Sequence, residues 1–435
     1  MNEQGTLQGR GLLPLALVAC LVGTLSGLVA ALFRLGLQQA DRSRDALIGW
    51  THSWPVVGFP LVVVAVAGTT TVAAWLVKRF SVHAAGSGIP HVEAVVNGEL
   101  PPAPPSLLPV KFFGGWLAIG GGLALGREGP SVQMGASLGS LLGKVFRFNE
   151  TDSRALLAAG AGAGLATAFN APVAGAVFVL EELVRRFEAR ILVAALGASA
   201  GAILVARLFL GSAPDFHIEA IPRPGFGAGV LALALGSLTG LAGVAYNRAI
   251  LGGLALADRF SRWPVEMRAA LIGAGVGALA WFAPGWVGGG ETLTQLTLSG
   301  SEVITLVPMA FAIRFLLGAA SYSAGTPGGL FAPMLVLGAQ LGLLLGAISH
   351  WGFPGLGEPP VAFAVVGMAA FFTAVVRAPL TGIILITEMT GSSTLLFPLL
   401  TACFAAMIIS NLLGNEPIYD SLKEQQPQLQ NGVER

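Results

Sequence analysis

The chain has 435 residues and a formal net charge of +1, with 54% hydrophobic and only 11% charged residues. A soluble domain carries about 25% charged residues, so the composition excludes a water-soluble enzyme, and the near-neutral balance excludes an electrostatic nucleic-acid binder. Two cysteines, Cys20 and Cys403, both lie in apolar runs and indicate no disulfide framework.

Runs of a length that crosses a bilayer recur along the chain: 12–33, 56–77, 191–210, 227–246, 302–317, 334–348 and 395–413. The expected class is an all-α polytopic membrane protein. The first run is too long for a removable signal peptide and lacks a small-residue cleavage pattern, so it reads as the first membrane helix. Lys78 and Arg79 close the second run. By the positive-inside tendency that end is cytoplasmic, and so is the N-terminal tail, residues 1–10. Arg42 and Arg44 fall in the expected first loop, accompanied by Asp41 and Asp45. Trp50, Trp54, Trp281 and Trp286 stand near run ends, where interfacial anchors sit.

Other apolar segments are short or interrupted by Gly and Pro, namely 106–125, 130–145 and 325–346. Broken helices in a membrane must satisfy their freed backbone groups against protein, water or ions. Two of these segments match each other. Residues 122–139, GLALGREGPSVQMGASLG, and 325–342, GTPGGLFAPMLVLGAQLG, share G-x3-G-x3-P-x4-G-A-x-L-G at an offset of 203, from Pro130 to Pro333. A second pair, APVAGAVFVLE (171–181) and APLTGIILITE (378–388), shares A-P-x2-G-x5-E at an offset of 207, from Glu181 to Glu388. Two matches in the same order imply a duplication. We expect a first repeat over 11–212, a linker over 213–224, a second repeat over 225–421 and a polar tail over 422–435.

Duplicated halves with interrupted segments in matching positions point to a transporter or channel whose site lies where the broken segments meet. The later glycines of each motif are read as close-packing positions, and the Gly-Pro portions as helix starts. A helix that starts inside a membrane presents free N–H groups and a partial positive charge, an anion site. Glu128 stands at the first such start. Its carboxylate and a bound anion would compete for one position, and protonation would release the side chain. Intramembrane ionisable groups are functional by default; the bland alternative is a capping or paired carboxylate. Arg127, its neighbour, points elsewhere on a helix.

GSGIP (86–90), GREGP (126–130) and GGLFAP (328–333) in this order, with NEPIYDSL near the end, resemble the signature segments of the CLC chloride channel and transporter family. The resemblance runs from about residue 12 to 423. It implies the CLC fold, two inverted repeats of tilted and broken helices, assembled as a homodimer with one pore per subunit, in a bacterial cell membrane. It implies that Ser87 and Tyr419 offer hydroxyls to a central chloride, met by the N–H groups of Leu330 and Phe331. N–H groups of Gly86 and Ser87 would serve an inner site, and those of Arg127, Glu128 and Gly129 an outer one. Glu128 would be the external gating glutamate.

Exchangers of this family carry a second, inner glutamate. In VLEELVRRF (179–187), Glu181 belongs to the repeat and is read as structural, whereas Glu182 faces Met389 in the alignment of halves and fits the inner proton position. The bland reading of Glu182 is a pair with Arg185 or Arg186. Ser87 and Phe331 are retained, which implies chloride with other halides tolerated. His91 departs from the Glu that close bacterial relatives often carry. The implied function is chloride/proton antiport with chloride, protons and membrane lipid as partners and no cofactor. A passive chloride channel on the same fold is the alternative, with a fluoride exporter more remote. The tail is too short for paired cytoplasmic regulatory domains.

GASLG (135–139) fits a serine-nucleophile pattern, but its repeat partner GAQLG keeps the glycines and loses the serine, which favours packing over an intramembrane hydrolase. No metal motif occurs. Arg314, Arg377 and Glu388, in or beside apolar runs, are read as structural.

Overall fold

The computed structural model describes residues 11–222, 224–352 and 359–433. Among them the chain forms seventeen α-helices and no β-strand. The first eight are α1 (Leu12–Thr51), α2 (Pro55–Phe80), α3 (Ile89–Val96), α4 (Leu107–Gly120), α5 (Glu128–Val145), α6 (Glu150–Ala168), α7 (Pro172–Phe178) and α8 (Ala189–Leu210). The next eight repeat the series as α9 (Phe226–Arg259), α10 (Val265–Phe282), α11 (Glu291–Leu298), α12 (Val307–Tyr322), α13 (Phe331–Gly352), α14 (Pro360–Val376), α15 (Pro379–Thr390) and α16 (Leu396–Leu412). An unpaired α17 (Ile418–Val433) follows.

Among the described residues, six helices are long and apolar enough to cross a membrane. Large apolar side chains point outward, with Val56 88%, Leu208 79% and Phe282 78% exposed, an orientation that suits lipid and not water. The chain is a multi-pass membrane protein. One expected feature differs: Arg42 and Arg44 lie in no loop. The first apolar run continues as helix to Thr51, because Arg44 pairs with Asp41 at 2.7 Å and Asp45 at 3.1 Å and neutralises that stretch. Trp50 and Trp54 are exposed and in edge contact. Trp281, by contrast, is buried and stacked on His52 at 4.1 Å, so it acts in packing and not as an anchor.

The repeat governs packing. α5 lies against α6 as α13 lies against α14, and α1 against α8 as α9 against α16. The shared glycines allow this. A methyl group on Gly135 would sit 2.1 Å from the Gly160 carbonyl oxygen, and one on Gly338 would sit 2.3 Å from that of Gly367. Gly139 and Gly342 likewise abut the carbonyls of Leu156 and Phe363. Ser137 only hydrogen-bonds the Gln133 carbonyl one turn back, at 2.9 Å, so GASLG is a packing motif.

The helix starts obey the same register. Pro130 and Pro333 each occupy the third position of their helices, where no intrahelical donor is required. α3 and α11 are both eight residues long, and each begins after a left-handed glycine, Gly88 (φ 82°) or Gly290 (φ 94°). These turns are braced by buried cations. Lys111 on α4 donates to the carbonyls of Ala84 (3.1 Å) and Gly86 (2.7 Å). Arg314 on α12 donates to those of Trp286 (3.2 Å), Gly288 (2.7 Å) and Gly289 (3.1 Å).

The repeated glutamates explain A-P-x2-G-x5-E. Glu181 accepts from the N–H groups of Leu380 (2.9 Å) and Thr381 (2.6 Å) and from the Thr381 hydroxyl (2.7 Å), at the start of α15. Glu388 accepts from the N–H groups of Val173 (3.1 Å) and Ala174 (2.8 Å), at the start of α7. Each half therefore caps the other's helix, satisfying donors that the first turn leaves bare.

Candidate anion and proton site

Three signature loops converge at the centre. Gly86 bridges to Pro327, and Gly126 exchanges two hydrogen bonds with Gly329, at 2.8 and 2.7 Å. Two helix N-termini, those of α5 and α13, thus face one point from opposite halves. Glu128, fully buried as the first residue of α5, turns its carboxylate to the other helix and accepts the Ala332 N–H at 2.8 Å. A carboxylate occupies a place built for an anion, as an N-terminus favours. Phe331, beside it, packs on Phe372 at 4.6 Å, Phe169 at 6.0 Å and Phe178 at 5.9 Å, and lies nearly parallel to Tyr419 at 6.2 Å.

Ser87 and Tyr419 are completely buried, and neither hydroxyl makes a well-formed hydrogen bond to protein. Buried hydroxyls ordinarily have partners; a pair without one is suited to hold an anion by O–H donation. The N–H groups of Leu330 and Phe331 have no protein acceptor among the described residues. At the expected inner site, both N–H groups have partners within the protein. The Gly86 N–H is spent on the Thr326 carbonyl at 3.0 Å, and the Ser87 N–H on the Tyr322 hydroxyl at 3.3 Å. Both are diverted because the loops of the two halves dock there.

Arg127 points away from Glu128, as its sequence position implies. Its guanidinium donates to the Ala168 carbonyl (2.9 Å) and pairs with Asp215 (3.2 Å) and Glu291 (2.6 Å). Arg34 joins through Asp215 at 2.7 Å. This network lines a cavity of about 330 Å³ that reaches Ala332, the residue whose N–H holds the Glu128 carboxylate. Asp215 and Arg34 were not identified from sequence. Asp215 lies in the expected linker, which is not slack, since Phe216 N–H donates to the Met389 carbonyl at 2.9 Å.

Glu182 lies at the opposite end of a helical break. α7 widens into a π-turn over Val179–Leu183, a feature frequent at functional sites. Glu182 is buried, and its Oε1 makes no hydrogen bond. The tight partner of Arg185 is Asp420 at 2.7 Å, with Glu182 only at 3.8 Å. A simple helical ion pair therefore does not account for Glu182. Glu181, adjacent in sequence, is used up in capping α15, which separates the roles of the two glutamates. Tyr322 and Lys111 are further residues at the site that the sequence reading missed; the Lys111-to-Arg314 spacing of 203 equals the repeat offset and could have revealed the latter. His91 is buried with its ring 4.9 Å from that of His83, in the wall behind GSGIP.

A family model described as voltage gated chloride channel matches residues 69–411. The "H(+)/Cl(-) exchange transporter ClcA" of Vibrio parahaemolyticus is 37% identical over 415 residues, covering 93% of this chain and 88% of the relative. The protein of the same name from Citrobacter koseri is 34% identical over 417 residues, covering 94% and 88%. Among solved structures, a slow cyanobacterial Cl-/H+ antiporter superposes with a TM-score of 0.91 at 32% identity, covering 96% of this chain and 99% of that one. A CLC-type fluoride/proton antiporter shares the fold, with a TM-score of 0.79 at 22% identity over 94% of this chain and 97% of that one. With the match spanning most of its length, the chain belongs to the voltage-gated chloride channel family, the CLC proteins.

Proposed function

We propose that the protein exchanges chloride for protons across a bacterial inner membrane. The observation that carries this reading is the Glu128 carboxylate on the Ala332 N–H, between the starts of α5 and α13. A side chain that occupies an anion position and can be neutralised couples the two ions directly. An arriving chloride displaces it, and a proton lets it leave. Ser87, Tyr419 and the N–H groups of Leu330 and Phe331 hold the central chloride by hydrogen bonds alone. Such donors bind a weakly basic halide without the trapping charge of a buried lysine. Arg127 acts through its ion pairs, which fix the loop whose N–H groups, with those of Glu128 and Gly129, face the outer position. Glu182 passes protons on the inner side. The exchangers among the relatives support the reading as an antiporter. The assembly is proposed as a homodimer with one pore per subunit, on the family resemblance.

The test uses proteoliposomes under a chloride gradient with no proton gradient, with external pH recorded. Uphill proton movement is expected. Glu128→Ala should keep chloride flux and end proton coupling, whereas Glu182→Ala should slow protons while chloride still passes. Chloride flux without proton movement in the unaltered protein would make it a passive channel and overturn the reading.

A further inference from the structure

Arg185 has an unusual backbone. The π-turn ends at Leu183, and two residues later Arg185 takes a left-handed conformation with φ of 55°. A residue with a β-carbon is disfavoured there by about 1 kcal/mol or more. The conformation turns the guanidinium into a group of three carboxylates drawn from three separate elements. Asp420 on α17 accepts at 2.7 Å, and Glu93 on α3 and Glu182 on the π-turn each lie at 3.8 Å. Lys423, also on α17, pairs with Glu93 and Glu99, both at 3.2 Å. Glu181 is the remaining charge beside Glu182, and its oxygens are engaged at α15.

We infer that Arg185 is a positioning residue that links the charge on Glu182 to the placement of α17, the helix that carries Tyr419. The inference rests on the reading of Glu182 as the inner proton acceptor. One guanidinium cannot hold three carboxylates equally. When Glu182 is ionised it competes with Asp420 for Arg185. When Glu182 takes a proton, Arg185 commits to Asp420, the residue next to Tyr419. The proton state on one element thus tightens or loosens α17 against α3, which begins two residues after Ser87. A merely structural pair would bind Arg185 to one partner and leave Glu182 out.

The test measures chloride exchange and proton uptake in oriented proteoliposomes as pH is varied on the Glu182 face. Removing the cation makes Glu182 harder to ionise, so Arg185→Gln should move the midpoint of the profile upward. Arg185 is partly exposed, though Glu182 is buried, so solvent screens the cation and the expected shift is about half a pH unit. Asp420→Asn frees Arg185 for Glu182 and should move the midpoint downward by a similar amount. In the double variant the Asp420→Asn shift should shrink to the small direct effect of the lost Asp420 charge, because Arg185 is its main intermediary. Arg185→Lys should keep most of the native profile. Additive shifts in the double variant, or unmoved midpoints at normal flux, would overturn the link. If Arg185→Gln does not fold, Asp420→Asn with an unmoved midpoint overturns it equally. A native profile in Glu182→Gln would instead locate the failure in the assignment of Glu182 itself.

Discussion

Glu388→Ala removes a carboxylate that receives two backbone N–H groups from the other half of the molecule. The Ala174 bond is part-buried at 2.8 Å, and the Val173 bond is longer, at 3.1 Å, and nearer the surface. Loss of a helix cap costs about 0.5–2 kcal/mol, and leaving a buried donor unmet about 1–3 kcal/mol. With one bond part-buried and one near the surface, we expect about 2 kcal/mol for Glu388→Ala. Glu181→Ala strips the same cap from α15 and also frees the Thr381 hydroxyl, so it should cost about 3 kcal/mol. SDS titration in mild detergent micelles, followed by tryptophan fluorescence, measures both. The two sites cap different helices, so the double variant should lose close to the sum. Both variants, where folded, should retain proton coupling, in contrast to Glu182→Ala next door. The reasoning fails if Glu388→Ala lies within about 0.5 kcal/mol of the native protein, or if Glu181→Ala ends proton movement while stability is intact.

Other perturbations follow from the packing. Gly342→Ala would place a methyl group 1.9 Å from the Phe363 carbonyl oxygen and should destabilise by about 1–3 kcal/mol, whereas Gly275→Ala, with nothing within 4 Å, should be neutral or better in the same titration. Lys111→Met leaves the Ala84 carbonyl bare and the Gly86 carbonyl with only the Gly328 N–H; it should lower stability by about 1–3 kcal/mol and weaken apparent chloride affinity, read from flux against chloride concentration. Ser137→Ala loses only a bond within its own helix, and chloride flux and proton coupling should be unchanged; loss of transport would reopen the serine as a reactive group.

The architecture was legible where it depends on spacing. The paired Gly/Pro motifs predicted the joint start of α5 and α13, because a proline in the first turn and a glycine at a close crossing leave direct marks on sequence. The same marks separated Glu181 from Glu182. What spacing cannot convey is contact between distant segments. Asp215 is one of two acids in the connector, with Glu219, and only folding brings Arg127 and Arg34 to it. Nothing in GSGIP announces that the N–H groups of Gly86 and Ser87 reach Thr326 and Tyr322, some 240 residues on, where two loops meet. The extension of α1 past its apolar run depends on Arg44 finding carboxylates within its own helix, which hydropathy reads as a break.

The crossed glutamate caps also bear on how the chain is made. Leu380 and Glu181 are 199 residues apart, and Val173 and Glu388 are 215 apart. At a synthesis rate of about 5–20 residues per second, α7 waits roughly 10–40 s for its capping carboxylate to leave the ribosome. Until then its first N–H groups and the Glu181 carboxylate need other company, such as lipid headgroups, water or the insertion machinery. The first half is thus held open by its own unmet polar groups, and arrival of the second half closes both ends together.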